Sequence, residues 1–226
     1  MTAPEDQSTM QLPGTEYSRI HNDVVAVLHA ARVATARSVN AMMTASYWEI
    51  GRRIVEFEQA GQARASYGDI LIKRLGNDLS REFGRGFGWR NLAQMRAFYH
   101  AWPYEQICLT LSNKVDSGGI LQTVSAKLDQ GNISILPAPS LAIVAQAFPL
   151  PWSAYVRLLS VKNHQARSFY QTEALRCGWS VRQLDRQINS QFYERSLLSQ
   201  NKPAMLEQAM QSQPDDEMTP EQAIKD

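Results

Sequence analysis

The residues that decide the fold lie between positions 69 and 102 and read DILIKRLGNDLSREFGRGFGWRNLAQMRAFYHAW. Apolar side chains recur at steps of three and four residues, which predicts a helix from Asp69 to Phe83. Residues 84–88 are rich in glycine, and each glycine inside a helix costs about 1 kcal/mol relative to alanine. A second helix is predicted from Trp89 to Trp102, so the outline is helix, glycine turn, helix.

The same helical periodicity extends to both sides of this unit. Upstream, it predicts two consecutive helices, or one long kinked helix, from Tyr17 to Gly61. Downstream, helices are predicted over 140–148, 152–161 and 164–176. A last helix from Val181 to Leu197 is the best marked, because Ser180 and Gln183 have the S-x-x-Q spacing of a capping box.

Composition divides the chain into three parts. Residues 1–16 are polar and predict a disordered N-terminal lead, while 201–226 are acidic and predict a linker or tail. Residues 17–200 predict one helical domain that contains a long irregular insertion over about 104–150. Turn residues around 123–135 leave a small β-hairpin in this middle loop as an alternative. The fold class is therefore an all-α helical bundle with helix-turn-helix-like units.

The charge distribution favours a nucleic-acid partner. The whole chain has a net charge of +1, but residues 17–200 contain 21 lysines and arginines against 13 acidic residues. Arginine outnumbers lysine 17 to 6, and its planar guanidinium suits phosphate and guanine edges. Charge alone is equally consistent with arginines on solvated helix faces. No signal peptide or membrane-spanning run is visible, which predicts a cytoplasmic protein that does not bind membranes.

Two predicted helix starts carry the side chains that proteins use to read the major groove of DNA. The first set lies in and after the glycine turn, and the second follows the Ser180 cap. The predicted DNA-binding residues are Arg85, Arg90, Asn91, Gln94 and Arg96 in the first set, and Arg182, Gln183, Arg186 and Asn189 in the second. The alternative is that these are solvent-facing residues of amphipathic helices.

Catalytic and metal-binding readings find little support in the residues. The four histidines are scattered, and the two cysteines lie outside any C-x-x-C pattern. The string at 214–217 contains Pro-Asp, but it lies in the polar tail and has no acidic-x-Lys partner of the kind that PD-(D/E)xK nucleases use. The sequence therefore predicts no catalytic residue, no metal ligand and no cofactor.

Ten strings taken together resemble the N-terminal domain of the YhcG family, bacterial proteins regarded as candidate endonucleases. They are 47–54 (YWEIGRRI), 67–68 (YG), 82–87 (EFGRGF), 90–92 (RNL), 98–99 (FY), 158–159 (LL), 166–170 (ARSFY), 178–184 (GWSVRQL), 186–188 (RQI) and 193–195 (YER). The resemblance covers roughly residues 17–205. It implies a helical domain that precedes a PD-(D/E)xK nuclease domain in the family.

The resemblance also defines what this chain is expected to do. The sequence ends at Asp226, about where the nuclease domain would begin, so we expect a DNA-binding or targeting module without its own catalytic residues. A Mg²⁺ ion would be needed only if a partner supplied the nuclease domain. The alternative is a helical interaction or dimerisation module that docks such a nuclease partner or forms a homodimer.

Overall fold

The computed structural model describes residues 14–60, 65–108 and 140–199, and these residues form an α-helical fold. In chain order the helices are α1 Gly14–Ala60, α2 Ala65–Phe83, α3 Trp89–Ala101, α4 Leu141–Ala145, α5 Trp152–Leu158, α6 His164–Cys177, α7 Val181–Asn189 and α8 Phe192–Leu198, and 104–108 are also helical. No strand occurs within these three ranges, which confirms the predicted all-α class. The predicted hairpin around 123–135 lies outside the described residues.

Helix α1 is one uninterrupted helix rather than two consecutive ones. Its 47 residues correspond to a length of about 70 Å at 1.5 Å per residue. The C-terminal part is packed into the domain, where Trp48, Ile54 and Val55 are buried. The N-terminal part is different, because every residue from 15 to 35 is exposed.

The core is an aromatic cluster between α1, α3 and the segments after residue 140. Phe98 of α3 lies at its centre, with ring centroids 4.8–5.2 Å from those of Trp102, Phe148, Trp152 and Tyr155. The indole of the fully buried Trp48 donates a hydrogen bond to the Trp102 carbonyl at 2.7 Å. This bond fixes α1 against the end of α3.

Helices α1 and α3 approach each other closely at Gly51. A Cβ atom at this position would lie 2.1 Å from the Met95 carbonyl oxygen and 2.7 Å from its carbonyl carbon. Because both of these atoms belong to the backbone, no side-chain rotation could relieve the contact. Glycine is therefore required at position 51 for the observed packing.

Several predicted helix boundaries were wrong. Helix α2 begins at Ala65 rather than Asp69, α5 ends at Leu158 rather than near residue 161, and α4 is shorter than the predicted 140–148. The last predicted helix is divided at residues 190–191, where Gln191 has a left-handed backbone with φ 53°. Tertiary contacts hold this break, because the Tyr193 amide donates to the Tyr170 hydroxyl at 3.1 Å.

The structure differs in part from two predicted segments, the N-terminal lead and the middle insertion. Helix α1 begins at Gly14 and so includes the last residues of the predicted lead 1–16. Residues 104–108 are helical, although they lie within the predicted irregular insertion, whereas α4 is the helix predicted at the end of that insertion with shorter bounds. Within the described part of the chain, no helix combines the length and apolar character that crossing a bilayer requires.

We predict that Gly51→Ala lowers the free energy of unfolding by about 1–3 kcal/mol, because the added methyl group forces α1 and α3 apart. Urea denaturation followed by circular dichroism measures this change. The matched control is Gly88→Ala, since a Cβ there meets no atom within 4 Å. The control should change stability by less than about 1 kcal/mol. Equal stability of the two variants would contradict the assigned contact.

Candidate nucleic-acid interface

The turn between α2 and α3 is built by glycines with positive φ. Gly84 has φ 81° and Gly86 has φ 108°, values that other residues rarely adopt. The Gly84 amide donates to the Ser80 carbonyl at 3.1 Å, which closes the end of α2. Arg85 lies between the two glycines and is exposed. The turn thus presents an arginine directly before the start of α3.

Asn91 has a structural role at the start of α3. Its side-chain nitrogen donates to the Gly86 carbonyl, and its side-chain oxygen accepts a hydrogen bond from the Trp152 indole at 3.0 Å. Both ends of the amide are therefore engaged within the protein. This predicted DNA-contact residue joins the glycine turn to α5.

The remaining residues of the first set divide into exposed and engaged side chains. Arg90 and Gln94 are exposed, and the Arg90 guanidinium lies 5.3 Å from the centroid of the Trp89 ring. Arg96 instead turns toward the domain, where Nη1 lies 2.9 Å from Glu58 and Nη2 lies 3.9 Å from Asp69. The structure therefore leaves Arg85, Arg90 and Gln94 facing solvent.

The second helix start has the predicted capping box. The Ser180 hydroxyl accepts from the Gln183 amide at 3.2 Å, and the Gln183 side-chain oxygen accepts from the Ser180 amide at 2.8 Å. Gly178 ends α6 in a left-handed conformation, so α6 and α7 are joined by a short turn. Gln183 is buried by this arrangement, whereas Arg182 and Arg186 are exposed.

Asn189 closes a small polar cluster between α5 and α7. Arg157 donates to the Asn189 side-chain oxygen at 2.5 Å, and its Nε lies 2.5 Å from an oxygen of Asp185. Asn189 in turn donates to the other Asp185 oxygen at 3.0 Å. These contacts orient α7 relative to α5, and Asn189 takes part in them although it is an exposed residue.

Tyr170 supports the same region from α6. Its buried hydroxyl donates to the Gln187 carbonyl at 3.4 Å while accepting from the Tyr193 amide. A tyrosine hydroxyl is a protonated donor at neutral pH, and burial raises the pKa of this one further above its usual value. Tyr170 thus fixes the end of α7 and the start of α8.

Helix α5 connects two turn–helix units, of which the first is the glycine turn 84–88 with α3 and the second is the turn 178–180 with α7. Trp152 at its start contacts Asn91 of α3, and Arg157 near its end contacts α7, so the two contact residues are only five positions, or about 7.5 Å of helix, apart. Sequence reasoning missed both residues. The available signal was that each is a long polar-tipped side chain at the edge of an apolar helix, a type that usually finds a partner when buried.

The electrostatic balance of the region is positive. Residues 140–199 contain seven lysines and arginines against three acidic residues. The free amides at a helix start add to the attraction for anions. Within the described ranges, no group of three or more His, Cys, Asp and Glu side chains lies close enough to hold a metal ion. The excess of basic residues favours an anionic over a cationic partner.

Comparison with known proteins identifies the family of this chain. A family model described as the DUF1016 N-terminal domain matches residues 23–195. The chain belongs to the DUF1016 N-terminal domain family. The match includes both turn–helix units and the α5 bridge between them.

One curated relative adds to the family assignment. The chain is 53% identical over 210 residues to a protein of Escherichia coli (strain K12) named "Putative nuclease YhcG". The match covers 93% of this chain and 54% of the relative, so the chain spans about half of that protein's length. The resemblance to the YhcG family is confirmed. No solved structure matches the chain.

We predict that Asn91→Ala in this DUF1016 domain lowers the free energy of unfolding by about 1–3 kcal/mol, because the Trp152 indole and the Gly86 carbonyl lose their partner. The exposed residue Gln94 on the same helix gives the control Gln94→Ala, which should have little effect. Denaturant unfolding measures both. In a Trp152→Phe background the cost of Asn91→Ala should fall, and strict additivity of the two changes would argue against the hydrogen bond.

Proposed function

We propose that this domain binds DNA and targets it for a nuclease activity. The DNA contact is made by the exposed arginines of the two turn–helix units, namely Arg85 and Arg90 in the first and Arg182 and Arg186 in the second. The observation that carries the proposal is that α5 fixes these two units to each other through Asn91 and Arg157. Two cationic helix starts held by one short helix form a preorganised surface for phosphates.

Each exposed side chain has a defined chemistry in this proposal. An arginine forms bidentate hydrogen bonds with phosphate or with the O6 and N7 atoms of guanine, and a glutamine such as Gln94 pairs with adenine. The helix starts add backbone amides that favour phosphate. Asn91, Gln183, Asn189 and Arg96 act as positioning residues, since their side chains are engaged within the protein.

The nuclease part of the proposal rests on the name of the E. coli relative and on the family assignment. In this arrangement the catalytic carboxylates and their Mg²⁺ ion belong to a nuclease partner domain. The DUF1016 domain supplies affinity and orientation. A cytoplasmic location fits this role, because that is where bacterial DNA is found.

We predict that duplex DNA binding weakens steeply as salt rises from about 50 to about 200 mM, because cationic contacts release counterions from the phosphates. Fluorescence anisotropy with a labelled duplex gives Kd at each salt concentration. Arg90→Ala and Arg182→Ala should each cost about 1–3 kcal/mol of binding free energy and reduce the slope of log Kd against log salt.

The matched control for these variants is Arg32→Ala, which removes the same charge from an exposed position on α1 outside the proposed surface. It should leave Kd nearly unchanged. Absent or salt-independent binding by the intact chain would refute the proposal. An equal loss in Arg32→Ala and Arg90→Ala would show that only overall charge matters and not this surface.

A further inference from the structure

The N-terminal half of α1 carries an apolar stripe in solvent. We define residues 15–41 as the arm, of which 15–35 are all exposed and Ala36 is the first buried residue. Eight large apolar side chains of the arm are exposed, and the five most exposed, at 49–68%, are Tyr17, Ile20, Val24, Val27 and Leu28. Helices in proteins owe most of their stability to the packing of such a face. Contiguous apolar surface of this kind marks a contact site for a partner.

The spacing along the arm is that of a coiled coil. The residues of the seam follow each other at alternating steps of three and four, and they are Tyr17, Ile20, Val24, Val27, Ala31, Ala34, Ser38 and Ala41. Side chains are large in the first half of this series and small in the second half. The seam therefore tapers from one end to the other.

We propose that the arm pairs in an antiparallel orientation with the arm of a second copy of this chain, about a two-fold axis at His29. In this register the wide end of one seam lies against the narrow end of the other. Each large side chain lies opposite a small one: Tyr17 opposite Ala41, Ile20 opposite Ser38, Val24 opposite Ala34 and Val27 opposite Ala31. The distance between the helices is then uniform along the pair, as close packing requires.

Charge complementarity supports the same register. The positions that flank the seam on one side place Asp23 opposite Arg37 of the second copy, and the two-fold axis repeats this pair. No ion pair involving Asp23 or Arg37 occurs among the described residues. On the other side of the seam, Leu28 of one chain lies opposite Leu28 of the second chain. Such self-matching is the property of an isologous two-fold interface.

A parallel pairing fits less well. It would place Tyr17 on Tyr17 at one end and Ala31 on Ala31 further along, so the helices could not keep a constant separation. Asp23 would then lie opposite Leu28, and its charge would have no counterpart. The antiparallel orientation is therefore favoured by both packing and charge.

A second copy also fits the arm better than DNA does. The arm contains three basic and two acidic residues, so its net charge of +1 offers little attraction to a polyanion. Most of the basic excess lies instead in the rest of the helical domain. The arm and the proposed DNA surface are thus separate, and this inference does not depend on DNA binding.

Sedimentation velocity of the full chain over a range of concentrations tests the pairing. We expect a monomer–dimer equilibrium for the unchanged chain. Val27→Glu places two carboxylates near the two-fold axis and should weaken the dimer Kd roughly 100-fold or more. The control Val25→Glu makes the same change at an exposed position off the seam and should leave the dimer intact. Circular dichroism verifies that each variant is folded.

Charge reversal tests the orientation. Asp23→Arg and Arg37→Asp each place like charges opposite one another, and each should weaken the dimer several-fold. The double variant restores both pairs and should recover the affinity of the unchanged chain. A monomer at every concentration would overturn the proposal, as would a dimer that resists Val27→Glu. Failure of the double variant to recover would overturn the antiparallel register. Each of these results can occur whether or not the chain binds DNA.

Discussion

The close contact between α1 and α3 at Gly51 is the constraint on which the rest of the structure depends. It brings the two helices together at backbone distance and allows Leu92, Met95 and Phe98 to point into the core. Because one face of α3 is buried in this way, the opposite face must carry Arg90 and Gln94 toward solvent. The orientation of the candidate DNA surface is thus a consequence of helix packing.

The same contact determines where α1 projects. The helix is uninterrupted, so fixing its C-terminal part against α3 also fixes the direction of the arm. The aromatic cluster around Phe98 strengthens this arrangement, because Trp152 belongs both to the cluster and to the hydrogen bond with Asn91. A single packed region therefore positions both the turn–helix units and the arm.

Much of the fold could be predicted from the sequence, because its signals are local. The glycine turn at 84–88 and the capping box at Ser180 depend on the conformational freedom of glycine and on side-chain hydrogen bonds within four residues. The break at residues 190–191 could not be predicted, since Tyr170 holds it from another helix. Sequence reasoning also missed Arg157 and Trp152, whose partners lie far away along the chain.

The predicted site residues show the same division between local and distant information. Their residue types correctly marked two helix starts. Residue type alone, however, does not distinguish a side chain that faces solvent from one that forms hydrogen bonds within the protein. Asn91 and Gln183 have good base-reading chemistry, yet their amide groups are used to build the helix starts themselves. Among the described residues, no hydrogen bond or ion pair engages the guanidinium of Arg90 or Arg182, which suits both to the proposed contacts with phosphate. In the proposed DNA complex the amides shape the surface and the arginines give it charge, so substitution of an amide would act through the fold and substitution of an arginine through affinity for phosphate.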